Sequence, residues 1–205
     1  MDHGDVKSVM KSVMNLVMKP DVAEAAKQIF DVLDRHVAGL AQRYADQMAC
    51  RKGCWSCCRD TFSISLVEGV ILLEGLVVLA QTNRQRAQKV LEQLQAPPTG
   101  YCPLLIDGAC SVYAYRPVVC RAYGLLVKAK AQISSCRLNF NRLADDEIAV
   151  LELDPFNALM EELSARQCPE SEPEGTARRS IPAWLAALGA VDHVSSSLSS
   201  GPSRR

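Results

Sequence analysis

The sequence predicts a mainly α, small helical domain with one short β-hairpin and cysteine-rich loops that converge on a metal site. Three observations carry this. Apolar residues recur at helical spacing over several long stretches, and a single Asp-Gly dipeptide, Asp107-Gly108, stands between two short apolar runs. The chain also has nine cysteines, four of them within CRKGCWSCC at residues 50–58. A cysteine that acts only as a small buried hydrophobe has no reason to cluster, whereas metal ligation requires it.

A length of 205 residues with 48% hydrophobic content is enough for one domain with a real core. The expected organisation is N-terminal helices over 1–49 packing on the core, a cysteine-cluster metal-binding domain over 50–168, and a linker, short helix and flexible tail over 169–205. Lys+Arg and Asp+Glu balance at 23 each, so no basic field exists to attract nucleic acid, and no nucleic-acid partner is expected. The N-terminus mixes Val and Met with Ser, Lys and Asn and lacks the apolar run of a secretory signal, which points to the cytoplasm. The most apolar run, Ile64 to Ala80, is broken by Glu68 and Glu74 and is shorter than the ~20 residues a bilayer needs. It reads as a core helix, and no membrane span is expected. In a reducing compartment, nine cysteines are better explained by metal or redox chemistry than by disulfides. An aromatic content of 5% implies a mostly aliphatic core.

Taken in order, Val6, Val9, Met10, Val13, Met14 and Val17 form the stripe of an amphipathic helix ending at Pro20. Such a stripe normally packs on its own domain or in a dimer seam, with docking of a partner or of a membrane surface as the alternative. A second helix is expected from about Asp21 to Met48, with Val22, Ile29, Leu33, Leu40 and Tyr44 near one face and Asp21 in its first turn. His36 lies in it, away from any cysteine at ligand spacing. Ser65 and Glu68 form a capping-box signature for the next helix, which explains Glu68 better than catalysis does. Thr82 and Gln85 repeat that spacing, so the segment up to Pro97 is one helix or two with a break near 81–83.

Leu104 to Ile106, Asp107-Gly108, and Cys110 to Tyr113 read as the hairpin, with Cys102 and Cys110 at its two ends. Pro117 opens a short helix carrying Cys120, and Gly124 is a plausible stop. Cys136 follows in a loop or a helix start. Asp154-Pro155 is expected to supply the N-cap and first position of a helix ending near Arg166. Residues 169–179 and 195–205 have linker and tail composition, and the apolar stretch Ile181 to Val191 with Trp184 is expected to dock back as a helix.

Four convergent thiolates make either a tetrahedral zinc site or the corners of an iron-sulfur cluster, and spacing does not choose between them. Cys57 and Cys58 are adjacent, and neighbouring side chains usually point apart, so one of them suits a second metal position or a spare thiol. Eight cysteines allow two four-thiol sites or one site with four left over. Arg116 and Arg121 flank Cys120 and either offset thiolate charge or form surface ion pairs.

CRKGCWSCC, followed by CPLLIDGACSVYAYRPVVCR from Cys102 to Arg121, resembles the YkgJ-type cysteine-cluster family, a zinc- or iron-chelating domain. The likeness covers about Cys50 to Cys136. It implies a small metal-binding protein whose ligands are Cys50, Cys54, Cys57, Cys58, Cys102, Cys110, Cys120 and Cys136, with Cys168 outside the set. The family is related to the cysteine-rich part of flagellin lysine methylase, where an iron-sulfur cluster is implicated in methyl transfer from S-adenosylmethionine. The expected cofactor is therefore an iron-sulfur cluster (4Fe-4S), with zinc as the alternative. The rival functions are a zinc-stabilised interaction module and an iron-sulfur protein assisting methyl transfer or another modification. A soft-metal or thiol-disulfide role ranks behind them. No Gly-rich strand-to-helix turn is present to cradle a dinucleotide-like cofactor, and the sequence leaves enzyme status open.

Overall fold

The structure, a computed structural model, describes residues 17–51, 53–59, 62–141, 148–169 and 177–199. The N-terminal Met/Val stripe, apart from Val17, lies outside the described residues. Helices α1 (Pro20–Arg43), α2 (Leu66–Thr82), α3 (Arg84–Gln95), α4 (Val118–Ala122), α5 (Asp154–Gln167), α6 (Ile181–Ala187) and α7 (Ala190–Ser199) dominate the described residues. Among these residues, no helix is long and apolar enough to cross a membrane.

Helix α2 is the centre of the molecule. It is apolar on almost every side and packs against α3, α5, α6 and α7, as expected for a helix buried all round. Its capping box forms: Glu68 N–H points at Ser65 Oγ, and Glu68 Oε2 accepts from Ser65 N at 2.7 Å. Two glycines let neighbours approach. Gly69 lies against the Trp184 side chain, where an added Cβ would stand 3.1 Å from it, and a Cβ on Gly75 would stand 2.6 Å from the Tyr115 ring. Gly75→Ala is therefore expected to destabilise the protein by about 1–3 kcal/mol through overpacking. Denaturant unfolding measures it, and an unchanged midpoint would show that Tyr115 moves aside freely.

The helix break falls at Asn83, whose side chain accepts from Arg86 N at 3.1 Å and caps α3. The Thr82 hydroxyl instead bonds back to the Val78 carbonyl. The second helix also ends earlier than periodicity predicts. α1 stops at Arg43, and a 3₁₀ turn covers Ala45–Gln47, because Tyr44 turns inward and its hydroxyl accepts from Ala149 N. Asp154 is the first residue of α5 rather than its N-cap, which falls on Leu153. The Asp154 carboxylate is engaged by Lys130 N, so it is not free to cap.

The strands are short. β2 (Leu105–Ile106) and β3 (Ala109–Cys110) form the expected hairpin, with Asp107 at φ 50° and Gly108 at φ 72° in its turn. Two further small sheets accompany it. β1 (Ser63–Ile64) pairs antiparallel with β7 (Arg179–Ser180), and β4 (Val127–Ala129) lies between β5 (Gln132–Ser134) and β6 (Leu151–Glu152). The β1–β7 pairing returns the C-terminal helices to the core, and α7 continues to Ser199, so the serines at 195–199 are helical. The core is mainly aliphatic, with the fully buried Trp184 as its largest side chain.

Candidate metal centre

The clustered cysteines sit on short elements and the loops between them. Cys50 follows the 3₁₀ turn after α1, and a second 3₁₀ turn, Ser56–Arg59, carries Cys57 and Cys58. Within the loop, Cys54 N–H bonds to Arg51 O and Cys58 N–H to Trp55 O, both at 2.9 Å. The loop is joined to the second cysteine segment by its backbone, through Cys102 N–H to Cys58 O at 2.7 Å. Cys110 lies on β3 opposite Leu105, Cys120 lies on α4, and Cys136 is buried in the loop after β5.

Two side chains from the helices hold this framework. Arg86 of α3 grips the hairpin, with Nη2 2.7 Å from both Ile106 O and Ala109 O and Nε 3.0 Å from Ser111 Oγ. Glu68 of α2 does more than cap its own helix. Its Oε1 accepts from Val118 N at 2.8 Å, so one carboxylate, 1% exposed, ties the first turn of α2 to that of the helix carrying Cys120. This second role had no local signature, because residues 68 and 118 are distant in sequence.

The sulfurs perturb one another in two overlapping neighbourhoods. Burial pushes the Cys102 thiol up to about 11, with Cys110 and Cys57 adding to it. Burial also raises Cys120, helped by Cys102, Cys110 and Cys57, and raises Cys110 against the opposing pull of Arg116 and Arg86. Cys58 is raised by its hydrogen bond with Cys57 and then by burial, with Cys57, Cys102 and Cys110 adding charge repulsion. The other neighbourhood surrounds Cys50, which is raised by burial, lowered by a hydrogen bond from Asn139, and raised again by Cys136, Cys54 and Cys57. Cys57 belongs to both. Cys168 is the C-cap of α5, where its N–H bonds to Ser164 O.

A single convergent site is not seen among the described residues: no three of His, Cys, Asp and Glu are set closely enough to hold an ion as they stand, although cysteines of the two segments perturb one another's thiols. The adjacent Cys57 and Cys58 side chains are hydrogen-bonded to each other, and Cys57 raises thiols in both neighbourhoods.

The flanking arginines divide the two roles foreseen for them. Arg116 lies over the Tyr113 ring at 3.6 Å, donates to Cys120 O, and its charge favours the Cys110 thiolate. Arg121 pairs with Asp34 at 2.6 Å and also bonds Arg116 O and Ala114 O, which fastens α1 to the loop before α4. His36 bonds Val32 O within its own helix and packs edge-on to Phe156, with no cysteine contact.

The donor set fits a soft or borderline metal. Every candidate ligand is sulfur, Glu68 is fully occupied by backbone and hydroxyl donors, and the His36 ring is engaged within its own helix. Thiols held in the protonated state by burial and mutual repulsion must release protons to bind a cation, and the cation then supplies the charge they lack.

Comparison with curated proteins and with solved structures finds no match. Comparison with family models gives one: residues 49–139 match CxxCxxCC, described as "Putative zinc- or iron-chelating domain". The matched stretch begins one residue before Cys50 and ends at Asn139, three residues beyond Cys136, and so contains all eight clustered cysteines. Over this segment, a little under half of its length, the chain is similar to the CxxCxxCC cysteine-cluster family of zinc- or iron-chelating domains.

Proposed function

We propose that the protein carries an iron-sulfur cluster, with ligands drawn from Cys50, Cys54, Cys57, Cys58, Cys102, Cys110, Cys120 and Cys136. The observation that supports this reading most directly is the backbone bond from Cys102 to Cys58, which brings the two cysteine segments side by side although the two positions lie 44 apart in sequence. An all-sulfur donor set with neighbouring arginines suits a cluster, whose net charge and sulfur hydrogen bonds the protein sets. When bound, the cluster would supply electron transfer or Lewis acidity. The chain's own part is to hold the thiols in place through Glu68 and Arg86 and to partly shield them from water.

The test is iron, zinc and acid-labile sulfide analysis of the protein purified without oxygen. About four iron and four sulfide per chain, or a multiple, is the expected result for cubane clusters bound by four cysteines each. Colourless protein carrying only zinc would replace the cluster with closed four-thiolate zinc sites, and the absence of both metals would overturn metal binding.

A further inference from the structure

We infer that Asn139 is a positioning residue of the metal centre, acting on the sulfur of Cys50 through a direct N–H···S hydrogen bond. The inference rests on the reading that Cys50 is a metal ligand. Asn139 is 3% exposed, and its side chain makes three bonds: Oδ1 accepts from Ala49 N at 2.8 Å, and Nδ2 donates to Gly124 O at 2.6 Å and to Cys50 Sγ at 3.3 Å. Its backbone N–H bonds to Cys136 O at 2.9 Å. One residue thus touches the start of the first cysteine segment, the end of the Cys120 helix and the turn at Cys136.

The orientation of the amide is set by its neighbours. Ala49 N–H can only donate and Gly124 C=O can only accept, so the oxygen must face the former and the NH₂ group the latter. The second hydrogen of that NH₂ is thereby directed at Cys50. Gly124 completes the arrangement. It has φ +124°, and a Cβ there would stand 2.9 Å from Cys50 Sγ and 3.6 Å from Asn139 Nδ2, so glycine leaves the room that the sulfur and the amide occupy. Cys50 is exposed as a residue, yet its sulfur lies in this polar corner. A donor aimed at a ligand sulfur lowers the energy of its lone pairs and tunes affinity and potential. Aspartate at 139 would keep an acceptor for Ala49 but place oxygen lone pairs against Gly124 O and the sulfur.

The experiment titrates the reduced, metal-free full chain with Co²⁺ and follows the thiolate-to-cobalt absorption in wild type, Asn139→Asp, Cys50→Ser and the double variant. Asn139→Asp is expected to weaken binding about 10–100-fold and to move the absorption to lower energy. In the Cys50→Ser background, the Asn139 substitution is expected to add no further spectral change, because its target sulfur is gone. A wild-type spectrum and affinity in Asn139→Asp, with only a lowered melting temperature, would overturn the positioning role while leaving metal binding intact. No thiolate-to-cobalt band in wild type would overturn both readings. Wild type loaded with ¹¹³Cd²⁺ needs no variant: scalar coupling between the metal and the Asn139 side-chain amide hydrogens is expected, and bound cadmium without that coupling overturns the inference.

Discussion

Trp184→Ala is expected to cost about 3–5 kcal/mol of stability, which for a chain of this size lowers the melting temperature by roughly 6–20 °C. The indole is fully buried, its ring lies against Gly69 of the central helix, and its Nε1–H donates to Ile64 O at 2.9 Å. Truncation leaves a cavity beside a glycine that cannot fill it, and an unpaired carbonyl at the β1–β7 junction. Thermal unfolding followed by circular dichroism makes the measurement, with Trp184→Phe as the companion that keeps most of the ring and loses only the N–H. A loss below about 1 kcal/mol for the alanine variant would show that α6 and α7 do not belong to the same cooperative unit as α2, since full burial of an aromatic side chain is otherwise worth more.

Glu68→Ala comes next in expected effect. It strands two backbone donors, Ser65 N and Val118 N, and each buried donor left unpaired costs about 1–3 kcal/mol. Glutamine does not repair the loss, because its amide nitrogen would face one of those donors with another donor. The negative charge also lies at the first turns of both α2 and α4, where it favours the helix dipoles. Chemical denaturation is expected to show Glu68→Gln nearly as unstable as Glu68→Ala. Equal stability of Glu68→Gln and wild type would mean that the Val118 contact contributes little. Because Cys120 sits two residues after Val118, the same variants are also expected to bind metal more weakly.

Much of this was legible in the residues themselves. The capping box at Ser65 and Glu68, the Asp-Gly hairpin and the proline-led helix of Cys120 are local devices, fixed by side chains within a few positions of one another, and each forms where its residues predict. The chemistry was legible too, because eight thiols in 87 residues have few other uses, and the 49–139 segment matches the chelating family that those motifs resemble.

What sequence reasoning missed involves partners far apart along the chain. Asp154 would cap α5 if Lys130 did not claim its carboxylate, and α1 would run on if Tyr44 were not drawn in towards Ala149. A single asparagine or arginine in a loop or on an exposed helix face carries no pattern, so neither Asn139 nor the Arg86 grip on the hairpin was visible. Residue types and spacing determined a helical protein with sulfur chemistry, because periodicity, caps and ligand identity are short-range properties. Only the tertiary structure decided that Glu68 meets Val118, that Arg86 meets the hairpin carbonyls and that Asn139 meets Cys50, because that depends on which distant groups each side chain reaches in the folded chain.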